Sequence, residues 1–206
     1  MATRERTTRN GIDMDLLHGY LAGMTRPGAG VTTARLYHRW SGGFHVQSRI
    51  EELEEQGHVQ LRTKHTFRTD WPEPFSGDRG PTPGLEMLLA AVAGCAATTC
   101  VAKAALRGVE LRGLEVTTEG RVDQTGIFEV GDEQAWPGLR DVRITFHIDS
   151  PADDETLEAL RANVERTSSS LNSMMTAIPV ELSLERVSGR SEPAAVGHGG
   201  ANGGAR

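Results

Sequence analysis

Cysteine is scarce in this chain: only two occur, and both fall within the seven residues GCAATTC, at positions 95 and 100. So few thiols, so close together, exclude the disulfide framework of a small secreted scaffold. A basic excess is also lacking, since 22 Lys and Arg against 28 Asp and Glu leave a formal net charge of -6. That balance argues against nucleic acid or an anionic membrane as the main partner, because both require a cationic footprint. A small neutral or apolar ligand fits better. No charged-then-apolar signal peptide opens the sequence, and no internal repeat is visible. The longest uncharged run, Met87 to Ala102, falls short of the roughly 20 residues that span a bilayer. A cytoplasmic protein is expected. The 206 residues suffice for one domain with a substantial core, or one domain with extensions.

What is present reads as an α+β chain. Residues 10–22 space Met14, Leu17, Tyr20 and Leu21 at helical intervals, which predicts a short amphipathic helix docked onto something else. From Val31 to Thr69 the texture is that of strands: Val31 to Trp40, a Ser41-Gly42-Gly43 turn, Phe44 to Ile50, and an alternating run from His58. The acidic EELEE between them reads as a solvated connection. After a Pro- and Gly-rich loop, Thr82-Pro83 supplies an N-cap and a first-turn proline. A long, small-residue helix follows and closes at Lys103, Arg107 and a Gly108 C-cap. With no polar face it is expected to be the buried centre of the domain. Two strands, LEVTTEGRVD and DVRITFHID, flank a Gly-rich excursion. A second helix opens at Asp153 and ends near Thr167-Ser168-Ser169-Ser170, and IPVELSLERV is expected to close the fold as a last strand. The expected layout is an N-terminal extension over 1–30, a domain over 31–187 and a disordered Gly- and Ala-rich tail over 188–206.

On one regular helix, Cys95 and Cys100 have Cα atoms about 8.6 Å apart, beyond the about 7 Å that a disulfide tolerates. Neither a disulfide nor a metal clip made by this pair alone is expected. Each thiol can be a small core filler or, if a neighbour stabilises its thiolate, a nucleophile. Cys95 lies too far into the helix for the dipole to help, so a cation would have to come from elsewhere. Arg35, Arg39 and Arg49 on the N-terminal strands are candidates, and a partner chain could supply them.

The motif GPTPGLEMLLAAVAGC, the collinear pieces ALRGVELRGLEV and ERTSSSLNSMMTAIPVELSLE, and the leading NGIDMD followed by RWSGGFH resemble the OsmC/Ohr family. The resemblance covers most of the chain. It implies an α+β fold with antiparallel sheets packed around a long central helix, assembled as an intertwined homodimer with its site at the interface. It places Cys95 at the peroxidatic position, where a thiolate attacks a hydroperoxide and becomes a sulfenic acid. Three positions depart from the family pattern. The place of the second, resolving cysteine is occupied by Ser168-Ser169-Ser170, so recycling would need an external low-molecular-weight thiol or dithiol, with Cys100 a badly placed second thiol. Gly42-Gly43 is followed by Phe44 and His45 instead of the family's arginine, leaving His45, Gln47 and Arg49, expected on one strand face, to stand in, with Arg39 a further candidate cation. Glu86, the carboxylate that would orient that cation, lies nine residues before Cys95 and half a turn off, about 13.5 Å away on a straight helix.

Three readings follow: a one-cysteine reductase of organic hydroperoxides, the same scaffold turned to another cysteine- or pocket-based reaction on a small metabolite, and a non-enzymatic binder of a small apolar ligand. No cofactor and no metal is expected. His38, His45, His58, His65 and His147 are scattered over the expected strands, and no pair has a tight ligand spacing.

Overall fold

The computed structural model describes residues 7–25, 28–55, 58–60, 65–77, 82–130 and 135–186. The expected disordered tail, 188–206, and the first six residues lie outside the described residues.

A short hairpin comes first, β1 (Thr8–Arg9) and β2 (Ile12–Asp13). Its turn is Asn10-Gly11, with φ of 48° and 76°, the left-handed pair that a two-residue hairpin favours and that Asn and Gly tolerate best. The helix expected from Asn10 therefore begins later, as α1 (Met14–Gly23), once Asp13 has accepted the N–H groups of Asp15 and Leu16. Of its expected stripe only Met14 is buried, while Tyr20 and Leu21 are exposed. The hairpin docks on the core through Asn10. Its amide donates to the Val109 carbonyl and accepts from the Leu111 N–H, both at 3.0 Å.

β3 (Thr32–Trp40), β4 (Val46–Glu55), β5 (His58–Gln60) and β6 (Thr66–Thr69) form an antiparallel sheet in which β5 and β6 pair with successive parts of β4. The acidic stretch taken for a connection is the second half of β4. Register explains it: Arg35 stands opposite Glu52 and forms an ion pair with it, the cross-strand pairing that lets charge sit in a strand. Pairing registers put Leu36, Trp40, Val46, Ile50 and Phe67 on one face and Tyr37, Arg39, Gln47, Arg49 and Arg68 on the other. Leu36 and Trp40 remain exposed. Among the described residues this sheet makes at most slight contact with the helices.

The long helix is α2 (Gly84–Arg107), 24 residues. Thr82 does not cap it; Thr82 bridges to Thr69 instead, and Pro83 holds the cap position without a side-chain bond. At the other end Gly108 takes a left-handed conformation with φ 72° and its N–H reaches Ala104 and Ala105, as expected. With a mean hydropathy of 1.8 over its apolar window, α2 is long and apolar enough, by length and composition, to cross a membrane. The helix thus exceeds the uncharged run read from the sequence, because Gly84–Glu86 and Lys103–Arg107 add turns at both ends.

From Val92 onward every fourth residue of α2 is buried, Val92, Ala96, Cys100 and Ala104, with Ala105 beside the last. Small side chains on that stripe admit α4 (Asp154–Thr167), whose Leu160 and Val164 complete the core cluster. The β7 (Gly113–Val122) and β8 (Leu139–Asp149) hairpin adds Leu114, Phe146 and Ile148, and a four-residue helix, α3 (Gln124–Ile127), sits in the excursion between its strands. A last short helix, α5 (Ser169–Met175), follows α4 directly. The expectation of a buried central helix holds on this side only, for Leu88 is 47% exposed and the N-terminal sheet does not fold back over it. Nor does 177–186 close the fold as a strand. It carries no regular secondary structure, Val180, Leu182 and Leu184 are more than four-fifths exposed, and no neighbouring strand among the described residues supplies the ladder that would make it a strand.

Candidate active site

The α2 stripe separates the two cysteines. Cys100 lies on it and is 1% exposed, a small hydrophobe against the α4 side chains, and burial pushes its thiol up from the ordinary range. Cys95 precedes the stripe residue Ala96 by one position, which turns it about 100° around the helix to the seam where α5 begins. There it is half-buried, and both thiols are free.

Facing Cys95 is the corner between α4 and α5. Ser168 ends one helix and caps the next. Its N–H donates to the Val164 carbonyl at 2.8 Å, and its own carbonyl accepts from the N–H and the side-chain amide of Asn172. The corner carries three hydroxyls to the thiol. Ser169 Oγ is 3.5 Å from Cys95 Sγ and Ser168 Oγ is 3.9 Å from it, while Ser170 Oγ lies 3.5 Å from Ser168 Oγ and 3.4 Å from the Val92 carbonyl. Together they bring the Cys95 thiol down to about 7. The Ser170 hydroxyl contributes most, then that of Ser169, with the Ser170 N–H and the Ser168 hydroxyl adding less and partial burial opposing them. The neighbouring threonines act elsewhere. Thr98 and Thr99 turn their hydroxyls back onto the Cys95 carbonyl at 3.0 and 2.8 Å, the usual habit of Thr within a helix.

A family model described as OsmC-like protein matches residues 76–183, more than half of the 206-residue chain. The chain belongs to the OsmC family. Among solved structures it is similar to an OsmC-like protein from Mycoplasma pneumoniae, with a TM-score of 0.54 at 13% identity over 69% of this chain and 87% of that one. It is also similar to an organic hydroperoxide resistance protein OsmC from Legionella pneumophila, with a TM-score of 0.45 at 16% identity over 69% and 88%. The organic hydroperoxide resistance protein OhrB of Bacillus subtilis gives 0.42 at 14% identity over 69% and 90%. No curated protein matches the chain significantly.

In this OsmC-family chain the described partners of the thiol are the serines of the α4–α5 corner, and the other expected site residues have contacts of their own. Glu86 is exposed in the first turn of α2. Arg49 stacks over the Tyr37 ring at 4.5 Å, and Arg39 pairs across the sheet with Gln47. His45 is not on the strand face expected for it. It belongs to the turn before β4, with Nε2 3.5 Å from the buried Asp70 carboxylate, beside the stacked rings of Phe44 and Trp71. None of these groups contributes to lowering the Cys95 thiol. His38 bonds Ser48 and His147 meets Thr117. Among the described residues no group of three or more His, Cys, Asp or Glu could hold a metal.

The sequence marks Ser168-Ser169-Ser170 only as the place where the family resemblance implies a second thiol; that their hydroxyls turn toward Cys95 emerges from the α4–α5 corner. The geometry makes a specific prediction about that place: Ser169→Cys brings a sulfur beside Cys95 with only a small closing movement. Mild oxidation of this variant is expected to give an internal disulfide, measured as a loss of about 2 Da and a single remaining alkylatable thiol after unfolding. Three alkylatable thiols would show that the two positions cannot close.

Proposed function

We propose that this protein is a thiol-dependent reductase of organic hydroperoxides that works through Cys95 alone and is recycled by an external low-molecular-weight thiol or dithiol. The observation that carries the reading is a half-buried cysteine, brought down to about 7, facing a serine instead of a second thiol. The Cys95 thiolate attacks the terminal peroxide oxygen. An S–O bond forms, the O–O bond breaks, and the departing alkoxide takes up a proton to leave as the alcohol, while the sulfur is oxidised to a sulfenic acid. A first external thiol then displaces water and forms a mixed disulfide. A second thiol, or the other arm of a dithiol, releases the Cys95 thiolate and carries away the oxidised reductant.

The working unit in this reading is a homodimer. Supporting it are the uncovered side of α2, the apolar face of the β3–β6 sheet and the unpaired 178–184 segment, all of which a second copy of the chain could cover. The groove of about 930 Å³ between β8 and the α4–α5 pair, lined by Val142, Ile144 and Met174 among others, is a further apolar surface of this kind. A second copy would also be the source of any help from Arg49, Arg39 or His45. Sedimentation of the purified protein is expected to give about twice the 22.3 kDa chain mass, and a monomer at micromolar concentration contradicts the dimer.

Turnover decides the activity. Consumption of cumene hydroperoxide by the wild type is expected to require added dithiol and to fall to the uncatalysed rate in Cys95→Ser, with Cys100→Ser close to wild type. A wild type that alkylates readily but ignores hydroperoxides would move the same thiolate to a different electrophile. That second reading is favoured by the serine at the family's second-thiol position.

A further inference from the structure

The peroxidase reading needs a Cys95 thiolate, and the inference about what holds it rests on that reading. We propose that the hydroxyls of Ser168, Ser169 and Ser170 are positioning residues for the Cys95 thiolate, a neutral hydrogen-bonding cradle that the same chain supplies in place of a cation.

The geometry assigns the parts. The Ser169 hydroxyl has no hydrogen-bond partner among the described residues other than Cys95 Sγ, so its proton is available to the sulfur. Ser168 is fully buried at the corner and its hydroxyl is within reach of both the sulfur and the Ser170 hydroxyl. A hydroxyl has one proton to donate and rotates to suit, so ionisation of Cys95 turns these protons from the Val92 carbonyl and from each other onto the sulfur. The cradle is held in place by backbone bonds. Ser168 N–H goes to Val164, Asn172 N–H goes to Ser168, and the Ser173 hydroxyl goes to the Ser169 carbonyl at 2.9 Å.

Charged groups on the elements packed around α2 are engaged elsewhere or stand away. On α4, Glu165 and Glu158 hold Arg161, while Arg166 of the last turn faces the Asn163 side chain together with Arg107 of α2, which also donates to the Ala159 carbonyl; Arg166 does not contribute to the state of Cys95. α5 carries no charged residue. On α2 itself Glu86 and Lys103 lie more than two turns from Cys95. On β7, Arg121 is paired with Asp141 of β8, and neither Glu115 nor Glu119 contributes to the state of Cys95.

The test is the pH dependence of iodoacetamide alkylation at Cys95, followed by intact mass in a Cys100→Ser background. The wild type is expected to show a midpoint near 7. In the Ser169→Ala/Ser170→Ala double variant the midpoint is expected to rise toward about 8.5, an approximately 15-fold loss of thiolate at pH 7. The rate at pH 7 falls by less, since a more basic thiolate is intrinsically more nucleophilic, so the midpoint is the quantity to read. Ser169→Thr, which keeps the hydroxyl, is expected to hold the midpoint near the wild-type value, and circular dichroism confirms that α5 survives in each variant. The proposal is overturned if the double variant keeps a midpoint near 7, or if Arg49→Gln moves it while the serine variants do not. A midpoint that shifts with the serines in a protein that reduces no hydroperoxide upholds the cradle and rejects the peroxidase reading, so the two fail separately.

Discussion

Everything distinctive about this molecule depends on how closely α4 can approach α2. Ala96, Cys100 and Ala104 present so little side chain that Leu160 and Val164 settle directly against the helix, a contact that a larger residue at any of the three would hold apart. The approach fixes where α4 ends, and its end fixes where Ser168–Ser170 lie. Because the stripe recurs every fourth residue, the cysteine on it is sealed in the core. The cysteine beside its neighbour Ala96 emerges at the seam. One packing contact thus makes Cys100 inert and Cys95 available, although the two thiols share a helix and a sequence motif.

Periodicity carried the elements that the chain makes for itself. The alternation of Val142, Ile144, Phe146 and Ile148 reads directly onto β8, and the Gly108 stop of α2 is where its sequence put it. Reading failed where a local device or a missing neighbour decided the outcome. Asn10-Gly11 made a hairpin turn where the apolar spacing of Met14 and Leu17 suggested a helix already under way. The EELEE stretch became strand because Arg35 on the opposing strand neutralises Glu52. The alternation of Ile178, Val180, Leu182 and Leu184 is a strand pattern for which no ladder forms among the described residues. At the candidate site, the motif singles out Cys95 and the family resemblance singles out Ser168-Ser169-Ser170 as the place of an absent thiol. That the Ser169 hydroxyl lies 3.5 Å from the sulfur follows only from the corner that the folded α4 and α5 make.

The departures from the family pattern form one arrangement. In the proposed reading, serine where the family resemblance implies a second thiol leaves no internal disulfide to form and puts a hydrogen-bond donor at the same place, so one substitution accounts both for a stabilised thiolate and for recycling by a thiol from solution. Arg49 and His45 meet Tyr37 and Asp70 within the N-terminal half of the chain, and Arg39 lies opposite Gln47 in the same sheet, so the proposed cradle assigns none of them a part in ionising Cys95 within the chain.

The central claim, that Cys95 is a peroxide-reactive thiol with no internal resolving partner, is tested most directly by intact-mass spectrometry after brief exposure to one equivalent of cumene hydroperoxide with a sulfenic-acid trap present. The account predicts a single trapped adduct that maps to Cys95 and disappears in Cys95→Ser. No adduct, or a Cys95–Cys100 disulfide in its place, would contradict it.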